Sequence, residues 1–134
     1  MSDKKNILII DDDEINNLIC LKVIKDYNKE YDVVSITSAT DGLGYIRDQI
    51  GTGTDSLPDL IFLDINMPLM NGWDFMMEYR KIMSGVDKEV KLFVLTSSQY
   101  YQDAELAKQY NEVKQLITKP LTSEILDEIE KKYF

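Results

Sequence analysis

Apolar residues along this chain come in two patterns, and the patterns alternate. Short unbroken runs, such as Ile7 to Ile10 and Leu60 to Leu63, leave neither face polar. A run of this kind reads as a strand buried on both sides, as in a parallel sheet covered by helices. Strands are expected over residues 6–10, 32–37, 60–63, 90–95 and 113–117, the last at an edge because Lys114 and Gln115 interrupt it. Between them apolar residues recur at helical spacing. Asp13 opens a helix in which Ile15, Ile19, Val23 and Tyr27 fall every fourth residue, with Cys20 and Ile24 alongside. Thr40 or Ser38 caps a second helix carrying Leu43, Ile46 and Ile50, weakened by Gly42 and Gly44, and residues 51–56 read as a flexible loop. Pro68 and the Asn71-Gly72 pair mark a loop before a third helix over residues 73–83, with Met76, Tyr79 and Met83 on one side. A helix over residues 99–110 turns Ala104 and Ala107 inward. The last helix has Leu121, Ile125 and Ile129 as its stripe, with Glu124 and Asp127 early and Lys131 and Lys132 late, as the helix dipole favours. The alternation is that of an α/β chain, a (βα)₅ doubly wound five-stranded parallel sheet.

Composition narrows the chemistry. The 134 residues make one domain, with 44% hydrophobic and 29% charged residues, an ordinary globular balance. A formal net charge of −9 disfavours binding to nucleic acid or an anionic membrane, since both need clustered Lys and Arg. Cys20 is the single cysteine, so an internal disulfide or Cys-rich metal site cannot form, and its position on an apolar helix face marks it as a packed thiol. The N-terminal apolar run is too short for a signal peptide or membrane span, and a cytoplasmic protein is expected. There is no histidine. Ser-His-Asp triads, His-ligated zinc and a phosphohistidine on this chain are therefore excluded.

In a parallel sheet the carboxyl ends of the strands share one edge, where open α/β sheets keep their binding sites. The first strand ends in Asp11-Asp12-Asp13, the third in Asp64, the fourth in Thr96-Ser97 and the fifth in Thr118-Lys119-Pro120. Asp13 serves as a helix cap, leaving Asp11, Asp12 and Asp64 as a carboxylate cluster. Two like charges about 5 Å apart at an effective dielectric near 20 repel by roughly 3 kcal/mol. Three such pairs come to about 10 kcal/mol, comparable with the whole stability of a small domain. Raised pKa values or Lys119 relieve part of this; a hard divalent ion relieves more, and oxygen ligands fit Mg²⁺. A cation beside a carboxylate, a hydroxyl and a lysine suggests phosphoryl chemistry, which needs charge neutralisation and positioning.

The stretches ILIIDDD (7–13), LIFLDINMPLMNGWDF (60–75), LFVLTSS (92–98) and ITKPLT (117–122) together resemble the receiver domain of bacterial two-component response regulators, over roughly residues 5 to 132. The resemblance implies a flavodoxin-like sheet of strand order 2-1-3-4-5. It implies that Asp64 accepts a phosphoryl group from a phosphohistidine on a sensor histidine kinase or phosphotransfer protein. Mg²⁺ would be held by Asp12, Asp64 and the main-chain carbonyl of Asn66, with Asp11 acting largely through water. Thr96 and the amides near Asn66 and Ser97 would receive phosphoryl oxygens, Lys119 would pair with the phosphoryl group, and Lys119-Pro120 would be a cis peptide. Such a protein is not an enzyme beyond catalysing its own phosphorylation and slow dephosphorylation. Leu116 stands where the family usually has a switch aromatic, three residues before the lysine, so a passive packing role is expected there and the switch passes to Thr96 and residues 97–110. With no output module in residues 1–134, the chain is expected to act as a stand-alone monomer or weak dimer. It would signal to another protein through a face including Tyr100, Tyr101, Gln109, Lys114 and Gln115.

Three alternatives compete. A flavodoxin-like electron carrier shares the sheet order, but its first loop cradles a phosphate with Ser, Thr or Gly, where Asp11-Asp12-Asp13 would repel one. An Mg²⁺-dependent aspartyl-phosphate hydrolase wants a second acid near the nucleophile, where this chain has Asn66. A degenerate receiver used only as a docking scaffold would not need Asp11, Asp12, Asp64, Thr96 and Lys119 all to be present.

Overall fold

A computed structural model describes residues 5–67, 70–97 and 105–134. Five strands, β1 (Asn6–Ile10), β2 (Asp32–Ile36), β3 (Leu60–Asp64), β4 (Lys91–Thr96) and β5 (Val113–Thr118), pair in parallel in the order β2-β1-β3-β4-β5. This is the expected order. Four α-helices accompany them among the described residues: α1 (Glu14–Tyr27), α2 (Ala39–Thr52), α3 (Gly72–Ile82) and α4 (Ser123–Tyr133). Of the helix expected over 99–110, residues up to 104 lie outside the described set; residues 105–107 are helical, and the chain then turns.

Alternate residues of each strand feed two cores. Leu8, Ile10, Ile61, Leu63, Leu92 and Val94 pack against α2 and α3 through Leu43, Ile46, Phe75 and Met76. Ile7, Ile9, Phe62, Phe93, Leu95 and Ile117 pack on the other face against Cys20 and Ile24 of α1 and Leu126 and Ile129 of α4. Both faces of β1, β3 and β4 are covered, which is why those strands read as unbroken apolar runs.

The helices depart from expectation in three places. In α1 the buried residues are Asn17, Cys20 and Ile24, while Ile15 is 70% exposed, Leu18 66% and Ile19 47%. A row of residues four apart advances about 40° per step around a helix of 3.6 residues per turn, so the row from Ile15 to Tyr27 drifts from solvent towards the core. Residues 51–56 are not a flexible loop. Gly51 and Thr52 complete α2, Gly53 ends it at φ 147°, where a side chain would be strained, and Thr54–Ser56 form a 3₁₀ turn. In the last helix Leu121 precedes the Thr122 cap, and the buried stripe is Leu126 and Ile129, with Ile125 half-buried. Ser38, rather than Thr40, caps α2 by accepting the Asp41 N–H.

An aromatic stack ties α3 to the segment that leads into β5. The Trp73 and Tyr110 rings lie 5.9 Å apart and 14° from parallel. The Arg80 guanidinium covers Tyr110 at 4.8 Å and donates to both Glu112 carboxylate oxygens at 2.8 Å.

Candidate functional site

The parallel register brings the strand ends to one edge. Asp64 is the last residue of β3 and pairs with Leu95, and Thr96 pairs with Thr118. Asp11 follows β1 and is held in line by its own N–H, which donates to Ile36 O at 3.0 Å. One carboxylate oxygen from each of Asp11, Asp12 and Asp64 lies within 4.8 Å of the others. Asp11 and Asp64 are buried and Asp12 is exposed, so the cluster has one wet side. The set is all-oxygen and anionic, and it fits a hard divalent cation.

Asp13 is the N-cap of α1, its Oδ1 accepting the N–H groups of Ile15 and Asn16 at 3.0 and 3.2 Å. It stands apart from the cluster, as its capping role requires. Asp64 Oδ1 accepts the Asn66 N–H at 3.1 Å, so the first turn after β3 folds back on the carboxylate. Asn66 itself is exposed. Thr96 is fully buried, Ser97 is exposed, and Thr96 O accepts the Lys119 N–H at 2.7 Å. The Lys119-Pro120 peptide is cis. Leu116 is half-buried against the core shared with α2 and α3. Gln109 and Gln115 are exposed, Lys114 pairs with Glu89 at 3.3 Å, and Tyr100 and Tyr101 lie outside the described residues.

Lys119 Nζ lies 2.9 Å from Asp11 Oδ2 and 3.8 Å from Asp64 Oδ1. Burial pulls its pKa down, but the hydrogen bond to Asp11 and the charges of Asp64 and Asp11 outweigh this and raise it. Burial pushes the Asp64 carboxyl from 3.8 up to about 6, against the Asn66 N–H and Lys119 and with the help of the Asp11 charge. One ammonium thus does not neutralise the pair of buried acids.

Two residues escaped the sequence reading. Asn16 Nδ2 donates to Asp11 Oδ2 at 2.7 Å, and Asn17 Nδ2 donates to Asp11 O at 2.9 Å. The available signal was a pair of amides in the first turn of a helix, directly after a strand-end acid. Cys20 is a buried thiol, its pKa raised to about 11 by burial and then by the Asp11 charge, consistent with packing.

A cavity of about 480 Å³ lies at the amino ends of β4 and β5, among Tyr79, Arg80, Lys88 and Lys114. It is remote from Asp64 and has no part in the cluster. No helix among the described residues is long and apolar enough to cross a membrane.

A family model described as the response regulator receiver domain matches residues 7–130. Hybrid signal transduction histidine kinase L of Dictyostelium discoideum is 28% identical over 127 residues, which cover 95% of this chain but 7% of that protein's length. A response regulator receiver protein from Dyadobacter fermentans superposes with a TM-score of 0.83 at 28% identity, covering 96% of this chain and 97% of that one. The receiver domain of the histidine kinase CKI1 from Arabidopsis thaliana, solved with Mg²⁺ and BeF₃⁻, superposes with a TM-score of 0.81 at 21% identity, covering 96% and 91%.

Proposed function

Because this chain belongs to the response regulator receiver domain family, we propose that it accepts a phosphoryl group on Asp64 from a phosphohistidine of a sensor kinase or phosphotransfer protein. The carrying observation is the placement of Asp64 at the end of the central strand, inside a three-carboxylate cluster and within reach of Lys119. An ionised Asp64 oxygen attacks phosphorus as the P–N bond to the donor imidazole breaks, and the bonding pair leaves with the imidazole. The Asn66 N–H on Asp64 Oδ1 keeps the carboxylate oriented for this attack. Lys119 and the Thr96 hydroxyl then receive phosphoryl oxygens.

Asp12 and Asp64 would hold Mg²⁺ in this reading, with the Asn66 carbonyl. The ion, when bound, neutralises charge on the transferring phosphoryl oxygens. Both Asp11 oxygens already accept hydrogen bonds, Oδ1 from Asp13 N–H at 2.9 Å and Oδ2 from Asn16 and Lys119, which supports an indirect role for Asp11. The exposed Ile15, Leu18 and Ile19 of α1, the helix that opens beside the cluster, offer the donor protein an apolar surface. The reading also places the chain in the cytoplasm, where such donors work.

The test is incubation with acetyl phosphate, with and without Mg²⁺, followed by mass spectrometry. One phosphoryl group on Asp64, dependent on Mg²⁺, is expected; a phosphoryl group on Asp11 or a serine overturns the assignment. Millimolar Mg²⁺ should also raise the melting temperature of the wild type, and Asp12→Ala should weaken that dependence. A wild-type melt indifferent to Mg²⁺ removes the cation from the proposal. Leu116 has neither ring nor hydroxyl, so Leu116→Met should cost about 1.5 kcal/mol or less and leave phosphorylation unchanged, while Thr96→Ala should uncouple phosphorylation from the amide shifts it causes. Loss of the shifts in Leu116→Met, followed by NMR with beryllofluoride, would give Leu116 an active part.

A further inference from the structure

Asp11 accepts hydrogen bonds on all three of its oxygens. Its Oδ1 accepts the Asp13 N–H at 2.9 Å, and its carbonyl accepts Asn17 Nδ2 at 2.9 Å. Its Oδ2 has two donors on one atom, Lys119 Nζ at 2.9 Å and Asn16 Nδ2 at 2.7 Å. The residue is only 1% exposed, so bulk water has little access to it. In this arrangement Lys119 sits nearer Asp11 than Asp64, at 2.9 against 3.8 Å.

This poses a difficulty for the reaction. A lysine that pairs with a phosphoryl group on Asp64 must loosen its hold on Asp11, and stripping a buried carboxylate of its donor is strongly unfavourable. Asn16 removes the difficulty, because its amide already occupies the oxygen that Lys119 vacates. We propose that Asn16 is a positioning residue for phosphoryl acceptance. It holds Asp11 Oδ2 while Lys119 shifts from Asp11 towards the phosphoryl group on Asp64. The inference rests on the reading of Asp64 as acceptor. The second donor hydrogen of Asn16 faces Cys20 Sγ at 3.7 Å, a weak acceptor whose raised pKa keeps it neutral. Nothing strong therefore competes with Asp11 for the amide. Lys119 alone cannot serve both acids fully, and neither Asn17 nor Asp13 reaches Oδ2 in place of Asn16.

The first experiment follows phosphorylation by acetyl phosphate in Mg²⁺ for wild type, Asn16→Leu, Lys119→Met and the double variant. Asn16→Leu keeps the side chain's branching and removes the donor, and should slow phosphorylation roughly tenfold, the worth of one hydrogen bond to a charged group. The double variant should be no slower than Lys119→Met, because without Lys119 there is no exchange to ease. An equal loss from Asn16→Leu in both backgrounds would mark a purely structural role and overturn the proposal, as would no loss in either. The second experiment needs no variant. In ¹⁵N-labelled wild type, the Asn16 side-chain amide should shift and exchange more slowly with solvent when beryllofluoride and Mg²⁺ are added, as it becomes the remaining donor to Oδ2. An unmoved Asn16 amide alongside clear shifts at Asp64 and Lys119 defeats the hand-over. If the wild type takes up no phosphoryl group at Asp64, it is the acceptor reading that falls, and the two failures are told apart.

Discussion

Asp64→Asn is expected to abolish phosphoryl uptake and, in Mg²⁺-free buffer at pH 7, to raise the stability of the protein. The first effect follows from removing the attacking oxygen's charge. The second follows from where that charge sits. Burial, opposed by the Asn66 N–H and assisted by the Asp11 charge, lifts the Asp64 pKa from 3.8 to about 6. The folded protein thus holds this proton more tightly than the unfolded chain does. The group's favourable contribution is complete below about pH 4 and is lost as pH rises through about 6, so at neutral pH the ionised carboxylate is a burden on the order of 2–3 kcal/mol. An amide of the same shape escapes it. Urea melts of both proteins should show a gain of about 1–3 kcal/mol at pH 7, shrinking towards pH 4, where wild-type Asp64 is protonated. Mg²⁺ should narrow the gap at pH 7, because only the wild type presents the full carboxylate set. A variant less stable than wild type at pH 7 without Mg²⁺ would contradict this account of the acidic cluster.

Gly72→Ala should be the most disruptive of the glycine-to-alanine changes. A Cβ at Gly72 would stand 2.6 Å from Ile65 Cα and 2.5 Å from Ile65 Cγ2. The Gly72 N–H also donates to Ile65 O at 3.1 Å, so the two backbones are clamped face to face. Ile65 follows Asp64 directly, and any retreat by residue 65 drags the acceptor and the Asn66 amide with it. A destabilisation of about 2 kcal/mol or more and a fall in phosphorylation of at least about tenfold are expected. Gly44→Ala is the internal contrast. It lies within α2 with nothing within 4 Å of the added methyl, and should stabilise the protein by about 0.5–1 kcal/mol. Calorimetry on both variants decides the matter; similar melting temperatures would mean that the loop after β3 yields more easily than its contacts imply.

What could be read in the sequence follows from the physics of each element. The three central strands were legible because burial on both faces forces an unbroken apolar run, and their parallel order then placed Asp11, Asp64 and Thr96 at one edge, with Lys119 added by β5. The buried side of α1 was legible only in Cys20 and Ile24. Its core face includes Asn17, a polar residue retained there by its bond to the Asp11 carbonyl, while Ile15, Leu18 and Ile19 face solvent. A binary apolar pattern misplaces the first two turns of such a helix. The 3₁₀ turn at Thr54–Ser56 was hidden in a Gly- and Thr-rich stretch that reads equally as loose chain. Asn16 was hidden for a different reason. An amide in a first helical turn is ordinarily solvated, and only the folded position of Asp11 gives it a fixed partner.

The stack of Trp73 on Tyr110 has a practical consequence. Trp73 is the one tryptophan in the chain, two residues past the Asn71 cap that ends the loop after Asp64. Its ring is half-buried and stacked on a phenol. The protein therefore carries its own optical gauge between the acceptor loop and the entrance to β5. Its emission belongs to a single known place, and a spectrometer can follow events there in real time without a label.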